Sequence, residues 1–269
     1  MLLGTSLRIR RQETCVHQAS ASPDTPSEFV PFPVNLSTFF TPDRGTEEMT
    51  LSDNPIGASY LYLLEPEIHF LEAAVEHLIP TDELGPGARD AGVVVYIDRQ
   101  LAGSWGVHGR QYRGGPWLEG TPQQGYQSRF TPQEVYRIAI REIDQHCRAE
   151  FDRPFAQLAG DRQLRLLEQL EKDEIALPSL SSKFFFDMLW RNTEEGYFAD
   201  PLYGGNRDKV GWKLLGFPGV PSGHYRELLT SHEPYHADPV SVLDIQTGKV
   251  PVDAEGFPKH VIINSNKES

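Results

Sequence analysis

The amino-acid sequence predicts a mainly α-helical fold: a single irregular helical domain with long loops rich in glycine and proline, and an extended arm at each end. Several segments place apolar residues at helical spacing. The 23 glycines and 21 prolines are many for a compact helical domain and predict long irregular connections. Residues 1–50 are rich in serine, threonine, proline and acidic residues, which favours an extended or disordered arm. We therefore expect an N-terminal arm over residues 1–59, the helical domain over 60–235 and a C-terminal arm over 236–269.

Two helices are predicted near the start of the domain. Apolar residues recur at helical spacing over residues 65–79, with Pro66 suited to a first turn and Pro80 ending the helix. A second helix is predicted over residues 88–101, although the run 93–97 taken alone also fits a strand.

The middle of the chain combines a long loop with three further helices. Residues 103–129 are rich in glycine and proline and have no periodicity, which predicts a surface loop. Residues 131–134, Thr-Pro-Gln-Glu, form a helix start with threonine as N-cap, and this helix is predicted to reach about Phe151. Further helices are predicted over residues 161–170 and 181–195.

The last part of the chain is predicted to be irregular. After Gly196 the sequence indicates loop to about residue 220, with one helical turn at 206–213. The run 242–252 is typical of a small β-hairpin or of an arm.

Composition argues against several classes of function. The formal net charge is −13, so nucleic acid and anionic membrane surfaces would be repelled. No apolar run approaches the roughly 18 residues of a membrane helix, and we predict no direct membrane span. The two cysteines, Cys15 and Cys147, lie in no CxxC or CxxCH pattern, which excludes the usual zinc, iron–sulfur and c-type haem attachment sites.

The N-terminus shares some features with an export signal. Arg8, Arg10 and Arg11 precede the run Ala19-Ser20-Ala21, and a twin arginine and an Ala-x-Ala sequence occur in such signals. The apolar segment that should separate them is missing. From these residues alone, a disordered tail is the better interpretation.

Residues 232–236, His-Glu-Pro-Tyr-His, match the HExxH pattern of zinc proteases. That chemistry needs both histidines on one helical face, with the glutamate as general base. Pro234 would sit inside the required turn, where it disfavours helix and removes a backbone donor. We therefore predict no metal site here, and keep a metallohydrolase that uses His232, Glu233 and His236 as a minor alternative.

No pattern for a cofactor or a catalytic nucleophile is present. The glycine pairs 114–115 and 204–205 belong neither to a GxGxxG after a strand nor to a phosphate loop, and no GxSxG occurs. The sequence thus favours a subunit or binding protein, and predicts that this chain itself contributes no catalytic, cofactor-binding or metal-binding residue.

Residues 184–219 combine aromatic residues, glycines, asparagine and aspartate without a simple period. Aromatic side chains in irregular, glycine-rich backbone suit a rigid surface that docks another protein. A core helix followed by a buried aromatic loop explains the same composition equally well. The residues alone leave both interpretations open.

Several blocks of this chain resemble the gluconate 2-dehydrogenase subunit 3 family. The clearest is residues 195–208, Glu-Gly-Tyr-Phe-Ala-Asp-Pro-Leu-Tyr-Gly-Gly-Asn-Arg-Asp, followed by Gly-Trp-Lys-Leu-Leu-Gly-Phe-Pro-Gly at 211–219. The resemblance covers roughly residues 60–225. The other blocks that carry it, in chain order, are residues 73–80, 85–88, 96–101 and 144–147.

The resemblance implies a small subunit of a membrane-associated dehydrogenase complex. In such complexes a large subunit carries FAD and oxidises a sugar acid, as in D-gluconate to 2-dehydro-D-gluconate, and a multihaem cytochrome c subunit takes the electrons. The small subunit contributes no redox centre. It supports maturation of the flavoprotein and in many members carries the twin-arginine signal. The resemblance also implies that the small subunit is periplasmic and is held at the inner membrane by its partner subunits.

Within this resemblance we predict a partner interface centred on residues 184–219 and on Cys147. Cys147 carries the hypothesis of a disulfide to the large subunit, and a buried free thiol is the alternative. A soluble escort that leaves the mature complex is a further alternative for the whole chain. The predicted interface residues are Cys147, Trp190, Tyr197, Phe198, Tyr203, Gly204, Gly205, Asn206, Arg207, Trp212, Phe217 and Pro218.

Overall fold

The computed structural model describes residues 59–118, 120–220, 237–250 and 254, which are helical in the main. The helices are α1 (Glu65–Leu78), α2 (Val93–Ala102), α3 (Pro132–Phe151), α4 (Gly160–Glu171), α5 (Ser182–Phe198), α6 (Val210–Leu215) and α7 (Val242–Gln246). Single 3₁₀ turns lie at Pro122–Gln124, Phe155–Gln157, Pro201–Tyr203 and Arg207–Lys209. Within the described residues, β-structure consists of isolated bridges, which include the pairs Asp82 with Gly85 and Gly219 with Val240. The predicted mainly α-helical fold is confirmed.

The start of α3 is the one that its sequence predicts. The Glu134 amide donates to the Thr131 hydroxyl at 3.2 Å, and the Thr131 amide donates to the Glu134 carboxylate at 2.7 Å. Two amides that would otherwise be unpaired at the helix end are thus bonded. By contrast, α2 begins at Val93 rather than near residue 88, because Gly92 takes a left-handed conformation (φ 74°) that interrupts the helix.

The hairpin expected at residues 242–252 is wrong over Val242–Gln246, which is helical. The Asp244 amide donates to the Ser241 hydroxyl at 3.0 Å, and the Ser241 amide donates to the Asp244 carboxylate at 3.0 Å. These reciprocal bonds form a capping box, which starts a helix where the apolar pattern indicated a strand.

Helix α5 lies at the centre of the fold and contacts α1, α2, α3, α4 and α6. Its Phe185 ring lies 6.3 Å from the Phe70 ring of α1 and 5.6 Å from the Tyr136 ring of α3. The core also holds a polar pair, in which the Asn192 amide donates to the Tyr136 hydroxyl at 2.9 Å. Because both groups are buried, loss of either one would leave an unpaired polar atom in the core. Burial raises the pKa of Tyr136, which is therefore neutral.

Asp98 of α2 joins the start of the domain to its core. Its buried carboxylate accepts hydrogen bonds from the backbone amides of Leu61, Tyr62 and Leu63, at 2.7, 2.9 and 2.8 Å. Three donors offset the cost of burying the negative charge. This contact fixes the segment that leads into α1.

Candidate protein-docking site

Residues 196–212 comprise the C-terminal end of α5, the irregular segment that follows it and the first turn of α6, and they pack closely on one another. A Cβ atom on Gly205 would lie 2.1 Å from the Gly196 carbonyl oxygen, and one on Gly211 would lie 2.2 Å from the Tyr197 carbonyl oxygen. Both distances are far below van der Waals contact, so only glycine allows the backbones to approach this closely. We call residues 196–212 the packed turn.

Asn206 satisfies the backbone of the packed turn from inside. Its side chain is completely buried, donates to the Ala199 carbonyl at 2.8 Å and accepts from the Gly211 amide at 2.8 Å. The Trp212 indole donates to the Phe198 carbonyl at 2.7 Å. Irregular backbone can be buried here because these side chains replace the missing helical hydrogen bonds.

The packed turn also brings distant sequence blocks together. The Tyr197 hydroxyl donates to the Pro86 carbonyl at 2.8 Å, and the Arg207 amide donates to the Ala91 carbonyl at 2.9 Å. Residues 85–88, which carry the same family resemblance as 195–208, therefore contact that block in space. The Arg99 guanidinium completes the junction through a long hydrogen bond to the Leu202 carbonyl, at 3.4 Å.

The predicted interface residues divide into an inner and an outer set. The buried members are Cys147, Tyr197, Gly205, Asn206 and Trp212. The half-buried members are Trp190, Phe198, Gly204, Arg207 and Pro218. Tyr203 and Phe217 are the exposed ones, at 53% and 44%. The buried members other than Cys147 lie inside the packed turn, whereas Tyr203 and Phe217 are open to solvent.

Cys147 belongs to the core rather than to a surface. Its side chain is fully buried on the inner face of α3, and it forms no disulfide with any residue that the structure describes. Burial, followed by the nearby charges of Asp144 and Glu150, raises the pKa of the thiol to about 12. The thiol is therefore neutral, and a disulfide to a partner would require α3 to move.

Two exposed leucines that the sequence analysis did not select lie next to Phe217. Leu214 is 44% exposed and Leu215 65%, while Trp212 on the same short helix faces inward, with its ring 5.2 Å from that of Phe217. We call Leu214, Leu215 and Phe217 the apolar ridge. The sequence alone did not reveal this ridge, because its exposure follows from the burial of Trp212 on the same six-residue helix. Adjacent exposed apolar residues often mark a docking site.

Residues 237–250 pack against the packed turn. The Val242 amide donates to the Asp200 carboxylate at 2.8 Å, and the Lys209 ammonium pairs with the Asp244 carboxylate at 2.8 Å. Burial opposes ionisation of Asp244, but its bonds to Lys209 and Ser241 outweigh this effect and lower its pKa. We call residues 237–250 the C-terminal strap.

The residues of the HExxH pattern, His232, Glu233 and His236, lie outside the described part of the chain. Among residues 59–118, 120–220, 237–250 and 254, no three histidine, cysteine, aspartate or glutamate side chains are grouped to hold a metal ion. No helix in this part of the chain is both long and apolar enough to cross a membrane.

Comparison with known proteins gives one match. Searches of curated proteins and of solved structures found nothing similar. The family model described as gluconate 2-dehydrogenase subunit 3 matches residues 65–219, which is more than half of the chain. The match begins at α1 and includes the packed turn and the apolar ridge. The chain therefore belongs to the gluconate 2-dehydrogenase subunit 3 family.

Proposed function

We propose that this chain is the non-catalytic small subunit of a periplasmic, FAD-dependent dehydrogenase complex of the gluconate 2-dehydrogenase type. In this proposal the large subunit binds FAD and oxidises D-gluconate, or a related sugar acid or polyol, and a multihaem cytochrome c subunit receives the electrons. The small subunit binds no cofactor. It supports the folding, export and stability of the flavoprotein by docking on it.

The family match over residues 65–219 carries this proposal, and the apolar ridge supports it. Leu214 and Leu215 are exposed at the end of a helix whose Gly211 and Trp212 are buried, and the exposed Phe217 follows that helix. A ridge already held in place loses little conformational freedom when a partner binds, so more of the contact energy appears as affinity.

A transient escort would use the same ridge but would not remain in the mature complex. The stoichiometry of the purified complex separates the two roles, because a retained subunit copurifies in equal amount with the flavoprotein. A metallohydrolase that uses His232, Glu233 and His236 is a third role, and metal analysis of the full chain tests it.

Recovery of flavin with the tagged full chain from native membranes tests docking. We expect a larger flavoprotein to copurify and to give the eluate flavin absorbance. The substitution Leu215→Glu should reduce the recovered flavin by about tenfold or more, because it places a charge at the centre of an apolar contact. The matched control is Leu84→Glu, since Leu84 is a 75% exposed leucine that is not part of the ridge.

Two outcomes would contradict this assignment. If the wild-type chain recovers no flavoprotein under mild extraction, the proposal that it is a retained subunit is wrong. An equal loss of flavin in the Leu215→Glu and Leu84→Glu variants would show that the ridge is not the docking site.

A further inference from the structure

A pocket of about 600 Å³ lies between α2, the packed turn and the C-terminal strap. Its lining includes four cationic side chains, Arg99, Arg207, Lys209 and Lys249. Two carboxylates, Asp208 and Asp244, also line it. In a chain of net charge −13, a pocket with more positive than negative side chains stands apart from the overall charge.

Most of the positive charge in this pocket is not neutralised from within. Lys209 is paired with Asp244. Arg99, Arg207 and Lys249 form no ion pair with any residue that the structure describes. The Arg99 guanidinium makes one long hydrogen bond, to the Leu202 carbonyl, and so retains most of its donors. Arg99, Arg207 and Lys249 thus line the pocket together with one carboxylate outside an ion pair, that of Asp208, and Arg207 also lines a neighbouring pocket with Glu72 and Asp90.

We propose that this pocket binds the carboxylates of an acidic segment of a partner protein. Arginine presents a planar fork of donors that matches a carboxylate, and two such forks, on Arg99 and Arg207, line the pocket. Arg99 and Lys249 are exposed, so side chains carried on another protein's surface reach the pocket from solvent. The volume exceeds what a single carboxylate fills and is of the size that holds several groups.

The position and charge of the pocket fit the same partner as the apolar ridge. Helix α6, which carries Leu214 and Leu215, begins at Val210, directly after Lys209 of the pocket lining. An acidic partner is repelled by most of this negatively charged chain and attracted at the pocket, which orients it before the ridge makes contact. The identification of the partner as the flavoprotein rests on the proposed function, whereas the binding of carboxylates does not.

Titration of the full chain with a fluorescently labelled hexaglutamate peptide at low ionic strength tests the pocket directly. We expect the peptide to bind and a hexaglutamine peptide not to bind. The double substitution Arg99→Gln with Arg207→Gln should weaken peptide binding by about tenfold or more. Lys249→Gln should weaken it by about two- to threefold. The matched control is Arg165→Gln, since Arg165 is an exposed arginine on α4 that forms no ion pair with a described residue.

Folding of each variant is checked by circular dichroism and thermal unfolding. Lys249 is exposed on the strap, so its variant tests the pocket even if the double variant unfolds. The proposal is wrong if Arg165→Gln weakens peptide binding as much as the double substitution does. It is also wrong if the wild-type chain does not bind hexaglutamate. Displacement of the peptide by an equimolar amount of a free tricarboxylate would overturn it too, because the pocket would then select a small anion.

Copurification of flavoprotein with the double variant separates this proposal from the proposed function. Peptide binding that depends on the pocket, without recovery of flavoprotein by the wild type, supports the pocket and contradicts the subunit role. If the wild type and the double variant recover equal amounts of flavoprotein and bind the peptide equally well, the pocket proposal is wrong and the subunit role stands.

Discussion

Two stretches of this chain, residues 109–128 and the packed turn, share a composition rich in glycine and aromatic residues but differ in burial. In the first, Tyr112 is 94% exposed, and Trp117 and Leu118 also face solvent. In the packed turn, Gly205, Asn206 and Trp212 are buried. The difference lies in polar side chains that bond the backbone from inside, such as Asn206. Glycine and aromatic content alone therefore does not distinguish a surface loop from part of a core.

Alanine at two glycines gives the largest contrast between these stretches. Gly205→Ala would bring Cβ to 2.1 Å from a backbone oxygen that cannot move freely, and should cost about 3 kcal/mol or more of unfolding free energy. Gly114→Ala, in the loop, meets the end of the exposed Tyr112 side chain, which can rotate away, and should cost less than about 0.5 kcal/mol. Urea unfolding of both variants measures the difference. Equal losses would show that the loop is packed as tightly as the turn.

Removal of one hydrogen-bonding side chain from each stretch tests whether bonds from buried polar side chains stabilise the packed turn. Asn206→Ala leaves the Ala199 carbonyl and the Gly211 amide without their partner, and should cost about 2 to 3 kcal/mol. Gln127→Ala removes an exposed bond to the Gln124 carbonyl and should cost less than about 0.5 kcal/mol. The comparison fails if thermal unfolding shows Asn206→Ala to be as mild as Gln127→Ala.

Acid provides a smaller, reversible test of how the strap holds the packed turn. The pKa of Asp244 is lower in the folded chain than its usual 3.8, so its ion pair with Lys209 stabilises the fold above that pH. This contribution is lost as the pH falls below 3.8 through the folded pKa. Asp244→Asn should cost about 1 kcal/mol at pH 7 and little at pH 3, as measured by urea unfolding at both values.

The control for this test is the exposed pair of Lys183 and Asp187 on α5, at 2.7 Å. Asp187→Asn should change the unfolding free energy by no more than about 0.5 kcal/mol at pH 7. A cost for Asp244→Asn that stays the same from pH 7 to pH 3 would show that its charge does not stabilise the strap.

Local signals in the sequence predicted much of the fold. The start of α3 follows from Thr131 and Glu134, because a capping box depends only on neighbours in the chain. Ser241 and Asp244 form the same kind of box, and the apolar run beyond them led to the incorrect hairpin. The burial of Asn206 was out of reach of these signals, since it depends on an irregular turn packed against residues such as Ala91, far away in sequence.

The candidate site was predicted only in part, because it too depends on contacts between residues far apart in sequence. The aromatic block 184–219 indicated a docking region, but composition could not assign Trp212 to the interior and Leu215 to the exterior. The cationic pocket could not be predicted, because Arg99, Arg207 and Lys249 come from three separated segments. Only the fold brings them together.

The central position of α5 determines when the core can form during translation. The faces of α1 to α4 pack against a helix that begins at Ser182, so a nascent chain on the ribosome lacks their common support until that helix has emerged. The core closes late in translation, after more than two thirds of the 269 residues have been made. A chain that stops before Ser182 would leave the apolar faces of α1 to α4 without α5, and we expect it to be held by chaperones or degraded rather than to fold.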